Sequence, residues 1–199
     1  MLKARFGFEF DATIRRLLPF LFHPRVHPHA LTLIGTAISL GAAADFAAGR
    51  FRRGAALAAL GGIFDLTDGV VARAQGRVTR FGALLDSSLD RLVDVALLAA
   101  LAIHYAGAGE RLWAWVAAAA LAGSVLTSYT KARAELWLRD FRGGLLERAE
   151  RIVLLIAGGL LGAMPLALAA IALGSLVTAA QRILLAHRRL GSEPEEDNP

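Results

Sequence analysis

The chain has 199 residues, of which 56% are hydrophobic and 20% charged, and its formal net charge is +5. Cysteine is absent, which excludes disulfides and thiolate metal sites. The mean hydropathy is positive, which argues against a soluble domain. In such a chain the positive charge favours anionic lipid headgroups over nucleic acid as a partner.

The N-terminal segment 1–28 alternates apolar and charged residues at helical spacing between Glu9 and Leu21. This pattern predicts an amphipathic helix that lies on the membrane surface, followed by a His- and Pro-rich turn. Arg15, Arg16 and Pro19 interrupt the apolar run, so the segment does not have the pattern of a cleavable signal peptide.

Long apolar stretches follow, and a helix that crosses a membrane needs about 20 such residues. We predict an all-α integral membrane protein whose membrane domain, 29–190, is a bundle of six transmembrane helices. The expected spans are 30–48, 54–73, 81–105, 112–135, 149–163 and 166–187. Gly158 and Gly162, four residues apart, favour close packing between helices. The acidic tail 191–199 is predicted to be disordered.

Basic residues collect on one side of these spans. They precede the first span, lie between spans two and three and between spans four and five, and follow span six. Arg50, Arg52, Arg53 and Arg111 lie on the other side. Because positively charged loops stay in the cytoplasm, we predict a multi-pass protein of the cell membrane whose active site faces the cytoplasm.

The segment from Asp65 to Asp94 contains five aspartates in or beside predicted spans. Burying a carboxylate in a membrane is costly, and such residues usually mark a functional site. Asp65 and Asp68 are three residues apart and Asp86 and Asp90 are four apart, so each pair shares a helix face. The loop between the two helices is short, which makes them antiparallel neighbours and lets the four carboxylates converge.

Four converging carboxylates repel one another unless cations neutralise them. Hard divalent cations prefer oxygen ligands, so the cluster predicts Mg²⁺ or Mn²⁺. Two such ions about 3.5–4 Å apart clamp a diphosphate in enzymes that transfer phosphoryl groups. Arg73 and Lys131 are suited to hold phosphate oxygens. The alternatives are structural acids paired with arginines, and a pathway for cations or protons.

This segment resembles the signature of the CDP-alcohol phosphotransferase family, D-x2-D-G-x2-A-R-x8-G-x3-D-x3-D. Every fixed position is filled, by Asp65, Asp68, Gly69, Ala72, Arg73, Gly82, Asp86 and Asp90. The resemblance implies that the four aspartates ligate two metal ions per site. It also implies that Asp90 is the catalytic base that takes the proton of the acceptor hydroxyl.

The resemblance further implies a lipid donor activated with CDP. The acceptor oxygen would attack the β-phosphorus, and CMP would leave. The residues that would hold the donor are Thr32, Asp68, Gly69, Ala72, Arg73 and Gly82. The family often has Pro-Asn before the first span; here Pro28 is present but His29 stands in place of the Asn. A homodimer is also implied by the resemblance.

Three further stretches resemble bacterial phosphatidylinositol phosphate synthases within this family. They are the run S-Y-T-K-A-R-A-E at 128–135, the run E-R-A-E-R at 147–151, and the pair Gln181-Arg182. The resemblance implies that the phosphate of inositol 1-phosphate is bound by Ser128, Lys131, Arg148, Arg151 and Arg182. The expected reaction transfers a phosphatidyl group from CDP-diacylglycerol, or from a CDP-diether lipid, to this acceptor.

Other functions remain open at this point. A phosphatidylglycerophosphate synthase would use glycerol 3-phosphate, but the G-K-x-K-T stretch typical of that group is absent. Cardiolipin and phosphatidylserine synthases give less reason for the additional basic residues, some of which simple membrane orientation would also explain. A non-enzymatic cation carrier would not need Gly69, Arg73 and Gly82 in register with the acids.

Overall fold

The structure is a computed structural model, and it describes residue 16 and residues 19–23, 26–138, 141 and 143–191. All regular secondary structure in this part of the chain is helical, as the sequence predicts. A short 3-10 helix, Pro19–Phe22, precedes six α-helices. These are α1 (Pro28–Ala47), α2 (Phe51–Ala74), α3 (Arg80–Gly107), α4 (Arg111–Ala134), α5 (Arg148–Leu161) and α6 (Met164–Leu190).

Four of these helices, α1, α2, α4 and α6, are long and apolar enough to cross a membrane. Helix α3 carries charged residues through its first half, from Arg80 to Asp94. Helix α5 has 14 residues, or about 21 Å at 1.5 Å per residue, which is less than the roughly 30 Å of a hydrocarbon core. Six spans therefore remain a prediction.

The expected surface helix over 9–21 lies almost wholly outside the described residues, and so does the tail 192–199. The division of the chain into 1–28, 29–190 and 191–199 likewise remains a prediction.

The six helices pack as a ring. Helix α1 packs against α2 and α3, α4 packs against α3 and α6, and α5 packs against α2 and α6. Large buried side chains from α1, α3 and α6 fill the core, among them Phe46, Leu97, Leu101, Leu168 and Ile171. Helices α2 and α3 make little backbone contact with each other, because α1 packs against both. The expectation that they are antiparallel neighbours therefore holds only for their side chains: Asp65, Asp86 and Asp90 converge, although a gap separates the two backbones.

Glycines set the closest helix crossings. A Cβ on Gly61 of α2 would overlap Ser39 Oγ of α1 and lie 2.9 Å from the Gly35 carbonyl oxygen. On α5, a Cβ on Gly158 would lie 2.5 Å from Ala167 Cβ, as the expected close packing requires. Gly162, with a φ of 70°, instead ends α5 in the left-handed conformation.

A buried carboxylate paired with two exposed arginines closes the turn between α1 and α2. Asp45 Oδ1 lies 2.6 Å from Arg50 Nη2, and Asp45 Oδ2 lies 3.0 Å from Arg53 Nε. A buried carboxylate needs such partners. This group lies at the opposite end of α2 from Asp65 and Asp68.

Candidate active site

Three aspartates form a carboxylate cluster, which we define as Asp65 of α2 and Asp86 and Asp90 of α3. Each contributes one oxygen, these oxygens all lie within 4.8 Å of one another, and all three residues are partly buried. Thr79 caps the start of α3 by accepting a hydrogen bond from Gly82 N at 2.9 Å. The cap fixes where α3 begins, and so which of its residues face α2 across the gap.

Asp68, the fourth predicted metal ligand, lies outside this cluster. It is buried, and its Oδ2 accepts a hydrogen bond from the Thr32 hydroxyl of α1. Three residues along a helix correspond to about 300°, which leaves Asp68 some 60° around the axis from Asp65. The two side chains therefore point to different neighbours, and a metal-binding role for Asp68 stays a prediction.

A cleft between the start of α1, the end of α2 and the start of α3 adjoins the cluster; we call it the glycine cleft. Five of the six predicted donor-binding residues line it, namely Thr32, Asp68, Gly69, Arg73 and Gly82. Ala72 does not line it. Asp86 lines the glycine cleft and also belongs to the carboxylate cluster, so the two sites are continuous.

His29 also lines the glycine cleft, and sequence reasoning gave it no binding role. A Cβ on Gly82 would lie 2.9 Å from His29 Cε1. The His29 ring meets Phe81 edge-on, with 6.0 Å between ring centroids. A methyl group at position 82 would therefore displace the imidazole from its place beside the start of α3.

Arg148, the first residue of α5, reaches into the carboxylate cluster. Its Nη1 lies 2.8 Å from Asp65 Oδ2, and its Nη2 lies 2.8 Å from Asp90 Oδ1. A capping box between Glu147 and Glu150 fixes the start of α5 and thereby this reach. The guanidinium neutralises part of the negative charge that three neighbouring carboxylates create.

The carboxylate cluster fits a divalent cation. Its three oxygens come from two helices and lie close enough to share one ion. Mg²⁺ and Mn²⁺ take carboxylate oxygens as ligands, and two of the three carboxylates, Asp65 and Asp90, already pair with the positive charge of Arg148. The predicted metal site is thus compatible with the geometry.

All five residues predicted to bind the acceptor phosphate surround one pocket, which we call the basic pocket. They are Ser128, Lys131, Arg148, Arg151 and Arg182. Arg91, Thr127 and Glu147 also line it, and sequence reasoning gave them no role. The sequence did indicate that two of them lie near the site, because Arg91 follows Asp90 directly and Glu147 is the first residue of the E-R-A-E-R stretch.

The two most buried arginines of the basic pocket differ in their free hydrogen-bonding capacity. Arg182 Nε and Nη1 each donate at 2.7 Å, to the Gly143 and Thr127 carbonyls, and Nη2 lies 3.2 Å from Glu147. Arg151 pairs with Asp94 through Nη2, while its Nε and Nη1 meet no hydrogen-bond partner among the described residues. Arg151 therefore has two buried donors that no described residue uses, whereas the hydrogen bonds of Arg182 fasten α6 to the pocket wall.

An apolar groove opens beside the cluster between α1, α2, α3 and α5. Its walls include Gly62, Leu66, Val93 and Ile152, and Asp65, Asp90 and Arg148 lie at its polar end. A groove of this composition suits hydrocarbon chains whose polar head lies at the carboxylates.

Comparison with known proteins agrees with this geometry. The sequence model of the CDP-alcohol phosphatidyltransferase family matches residues 25–185. The phosphatidylinositol phosphate synthase of Streptomyces avermitilis is 39% identical over 194 residues, covering 90% of this chain and 80% of that protein.

Two crystal structures of the Mycobacterium tuberculosis phosphatidylinositol phosphate synthase are similar, both with 27% sequence identity. The complex with bound CDP-DAG has a TM-score of 0.77 and covers 96% of each chain. The complex with manganese and citrate also has a TM-score of 0.77, covering 96% of this chain and 91% of that one. The expectation drawn from the acidic signature is confirmed, and the chain belongs to the CDP-alcohol phosphatidyltransferase family.

Proposed function

We propose that this membrane transferase of phospholipid biosynthesis moves a phosphatidyl group from CDP-diacylglycerol to inositol 1-phosphate, giving phosphatidylinositol phosphate and CMP. The observation that carries the proposal is the basic pocket, which joins the carboxylate cluster through Arg148. The name of the Streptomyces avermitilis relative and the CDP-DAG bound to the Mycobacterium tuberculosis enzyme support the same reaction.

The donor occupies two adjoining regions in this proposal. Thr32, Gly69 and Arg73 hold the cytidine diphosphate part in the glycine cleft, and the lipid chains lie in the apolar groove. The same regions suit a CDP-diether lipid, because both donors share the nucleotide, the diphosphate and two hydrocarbon chains.

Asp65, Asp68, Asp86 and Asp90 would hold two divalent ions. When bound, such ions offset the negative charge of the diphosphate and stabilise the departing CMP. Asp90 accepts the proton of the acceptor hydroxyl. The acceptor oxygen forms a bond to the β-phosphorus as the bond between that phosphorus and the bridging oxygen breaks, and CMP leaves with the bonding electrons.

The acceptor phosphate is bound by the basic pocket. Lys131 is partly exposed, while Arg151 is buried and has two nitrogen atoms that meet no hydrogen-bond partner within the described ranges. Charge-assisted hydrogen bonds to a phosphate dianion are roughly twice as strong as neutral ones. A free hydroxylated acceptor without a phosphate would leave these donors unpaired, so the pocket favours a phosphorylated alcohol.

We further place the enzyme in the cell membrane as a six-span homodimer whose active site faces the cytoplasm. Support for the orientation comes from the distribution of basic residues. Arg77 and Arg80 lie at the end of the bundle where α2 ends and α3 begins, which is also the end that carries the carboxylate cluster.

The test is CMP release by purified protein supplied with CDP-diacylglycerol and Mg²⁺. Inositol 1-phosphate, glycerol 3-phosphate, inositol and serine are compared as acceptors, and we expect release only with inositol 1-phosphate. Release only with glycerol 3-phosphate would instead identify a phosphatidylglycerophosphate synthase. A folded protein that releases no CMP and gains no thermal stability from CMP would favour the cation carrier.

A further inference from the structure

Asp94 lies one helical turn beyond Asp90 on α3, and the acidic signature does not include it. It is 5% exposed and meets three side chains from two other helices. Its Oδ2 lies 2.8 Å from Arg151 Nη2 and accepts a hydrogen bond from Ser124 Oγ at 3.3 Å, and its Oδ1 lies 3.4 Å from Arg148 Nε. Asp94 therefore contacts both arginines at the start of α5.

Asp94 contacts each of the two guanidinium groups through a single nitrogen atom. Asp94 is near Arg148 at Nε, while the two Nη atoms of Arg148 extend to Asp65 and Asp90. Asp94 pairs with Arg151 at Nη2, and Arg151 Nε and Nη1 have no hydrogen-bond partner in the part of the chain that the structure describes. One carboxylate thus binds an arginine of the basic pocket through a 2.8 Å hydrogen bond and lies 3.4 Å from an arginine of the carboxylate cluster, as an ion pair without a hydrogen bond.

We propose that Asp94 is a positioning residue that holds Arg148 and Arg151 so that the acceptor phosphate binds beside the carboxylate cluster. The inference rests on the proposed function. Asp94 acts through the arginines and does not touch the acceptor, since it does not line the basic pocket. Without its charge, the buried guanidinium of Arg151 and the partly buried one of Arg148 lose a shared counterion and the geometry that comes with it.

The chain offers a matched control in Asp45. This carboxylate is 3% exposed and pairs with two arginines, Arg50 and Arg53, at the opposite end of α2. Asp45→Asn and Asp94→Asn both remove one buried charge from a pair of arginines. Only the second change disturbs arginines that line the basic pocket.

The experiment measures CMP release by the wild type and the two variants at varied donor and acceptor concentrations. For Asp94→Asn we expect the acceptor KM to rise about tenfold or more, while the donor KM stays within about twofold, because only acceptor binding depends on the arginines. Asp45→Asn should leave both KM values unchanged, even if its melting temperature falls. An unchanged acceptor KM in Asp94→Asn, or an equal rise in Asp45→Asn, would overturn the proposal.

The route through Arg151 is tested with Arg151→Gln and the double variant Asp94→Asn/Arg151→Gln. We expect the rise in acceptor KM of the double variant to be smaller than the product of the two single effects, since the part of the Asp94 effect that passes through Arg151 is lost with its partner and only the part through Arg148 remains. Fully additive effects would show that Asp94 acts independently of Arg151, contrary to the proposal.

Ser124→Ala provides a milder perturbation if Asp94→Asn does not fold. It removes one hydrogen bond to Asp94 and should raise the acceptor KM a few-fold, with no change in the donor KM; no rise would overturn the proposal. The acceptor used throughout is whichever one the wild type turns over. A wrong acceptor assignment is therefore seen in the wild type, and a wrong role for Asp94 is seen only in the variants.

Discussion

Arg148 is shared by the carboxylate cluster and the basic pocket, the two sites that the proposed reaction needs. Its guanidinium contacts Asp65 and Asp90 of the carboxylate cluster at 2.8 Å and also lines the basic pocket. A divalent ion and the guanidinium both attract these carboxylate oxygens, so we expect them to compete. In the proposed reaction, the same side chain would also offer positive charge to the acceptor phosphate.

Arg148→Gln should therefore have two opposite effects. The Mg²⁺ concentration for half-maximal activity should fall, because a competing cation is removed. The acceptor KM should rise at least about tenfold, since a charged hydrogen bond contributes roughly 1.5–3 kcal/mol. Both are measured by CMP release, with Mg²⁺ and then the acceptor varied.

Arg182→Gln is the control for that experiment. Arg182 is buried, and its nitrogen atoms bond to Gly143, Thr127 and Glu147 rather than to the cluster. We expect a lower melting temperature and an unchanged Mg²⁺ requirement. A rise in the Mg²⁺ requirement of Arg148→Gln would contradict competition at the cluster.

Asp90→Asn tests the proposed base and metal ligand. Loss of a general base lowers turnover by about 100- to 10,000-fold, and asparagine keeps the shape of the side chain. We expect kcat to fall in this range while CMP still raises the melting temperature, because the glycine cleft is lined by other residues. Normal turnover in this variant would remove Asp90 from the mechanism.

At the scale of elements, the crossing of α1 and α2 determines where Asp65 lies. Gly61 sits against Ser39 and the Gly35 carbonyl, whereas a Cβ on the adjacent Gly62 would meet nothing within 4 Å. The two glycines therefore differ in packing although they are neighbours on the same helix.

Gly61→Ala should destabilise the protein by about 1–3 kcal/mol, the usual cost of forcing extra atoms into a packed interior. Gly62→Ala should cause no loss, since alanine also favours the helix. Thermal unfolding of both purified variants in the same detergent measures the difference. Equal melting temperatures would mean that the crossing tolerates an additional methyl group.

The sequence predicted where the helices lie along the chain, but only in part which side chains of different helices meet. Apolar stretches located all six helices, and residue spacing placed Asp86 and Asp90 together, as observed. Spacing alone did not separate Asp65 from Asp68, because the direction of each depends on which helix packs beside α2. Thr32 of α1 lies where Asp68 points, and only the packing of α1 places it there.

At the scale of the whole molecule, the ring of helices brings distant segments to one end. Residues 65, 90 and 148 meet there although 83 positions separate the first from the last. Helix α2 has 24 residues, about 36 Å in length, which is enough to cross a hydrocarbon core of roughly 30 Å. Its two ends should therefore lie on opposite sides of the membrane.

Because the chain contains no cysteine, single-cysteine variants can test this orientation directly. Arg52→Cys and Arg77→Cys place an exposed thiol at either end of α2. In intact cells, a membrane-impermeant maleimide should label Arg52→Cys, and it should label Arg77→Cys only after permeabilisation. The reverse pattern would invert the proposed topology, and labelling of both in intact cells would exclude α2 as a span.

The sequence by itself determined the class of protein, the positions of its helices and the set of charged residues available for chemistry. Apolar length sets the first two, and the spacing of the signature sets the third. The tertiary structure alone decided that Arg148 joins the carboxylate cluster to the basic pocket, that Arg182 bonds to two backbone carbonyls and to Glu147, and that Asp94 pairs with Arg151. The physical reason is that spacing fixes directions around one helix axis, whereas the rotation of one helix against another depends on contacts between distant residues, such as Gly61 with Ser39.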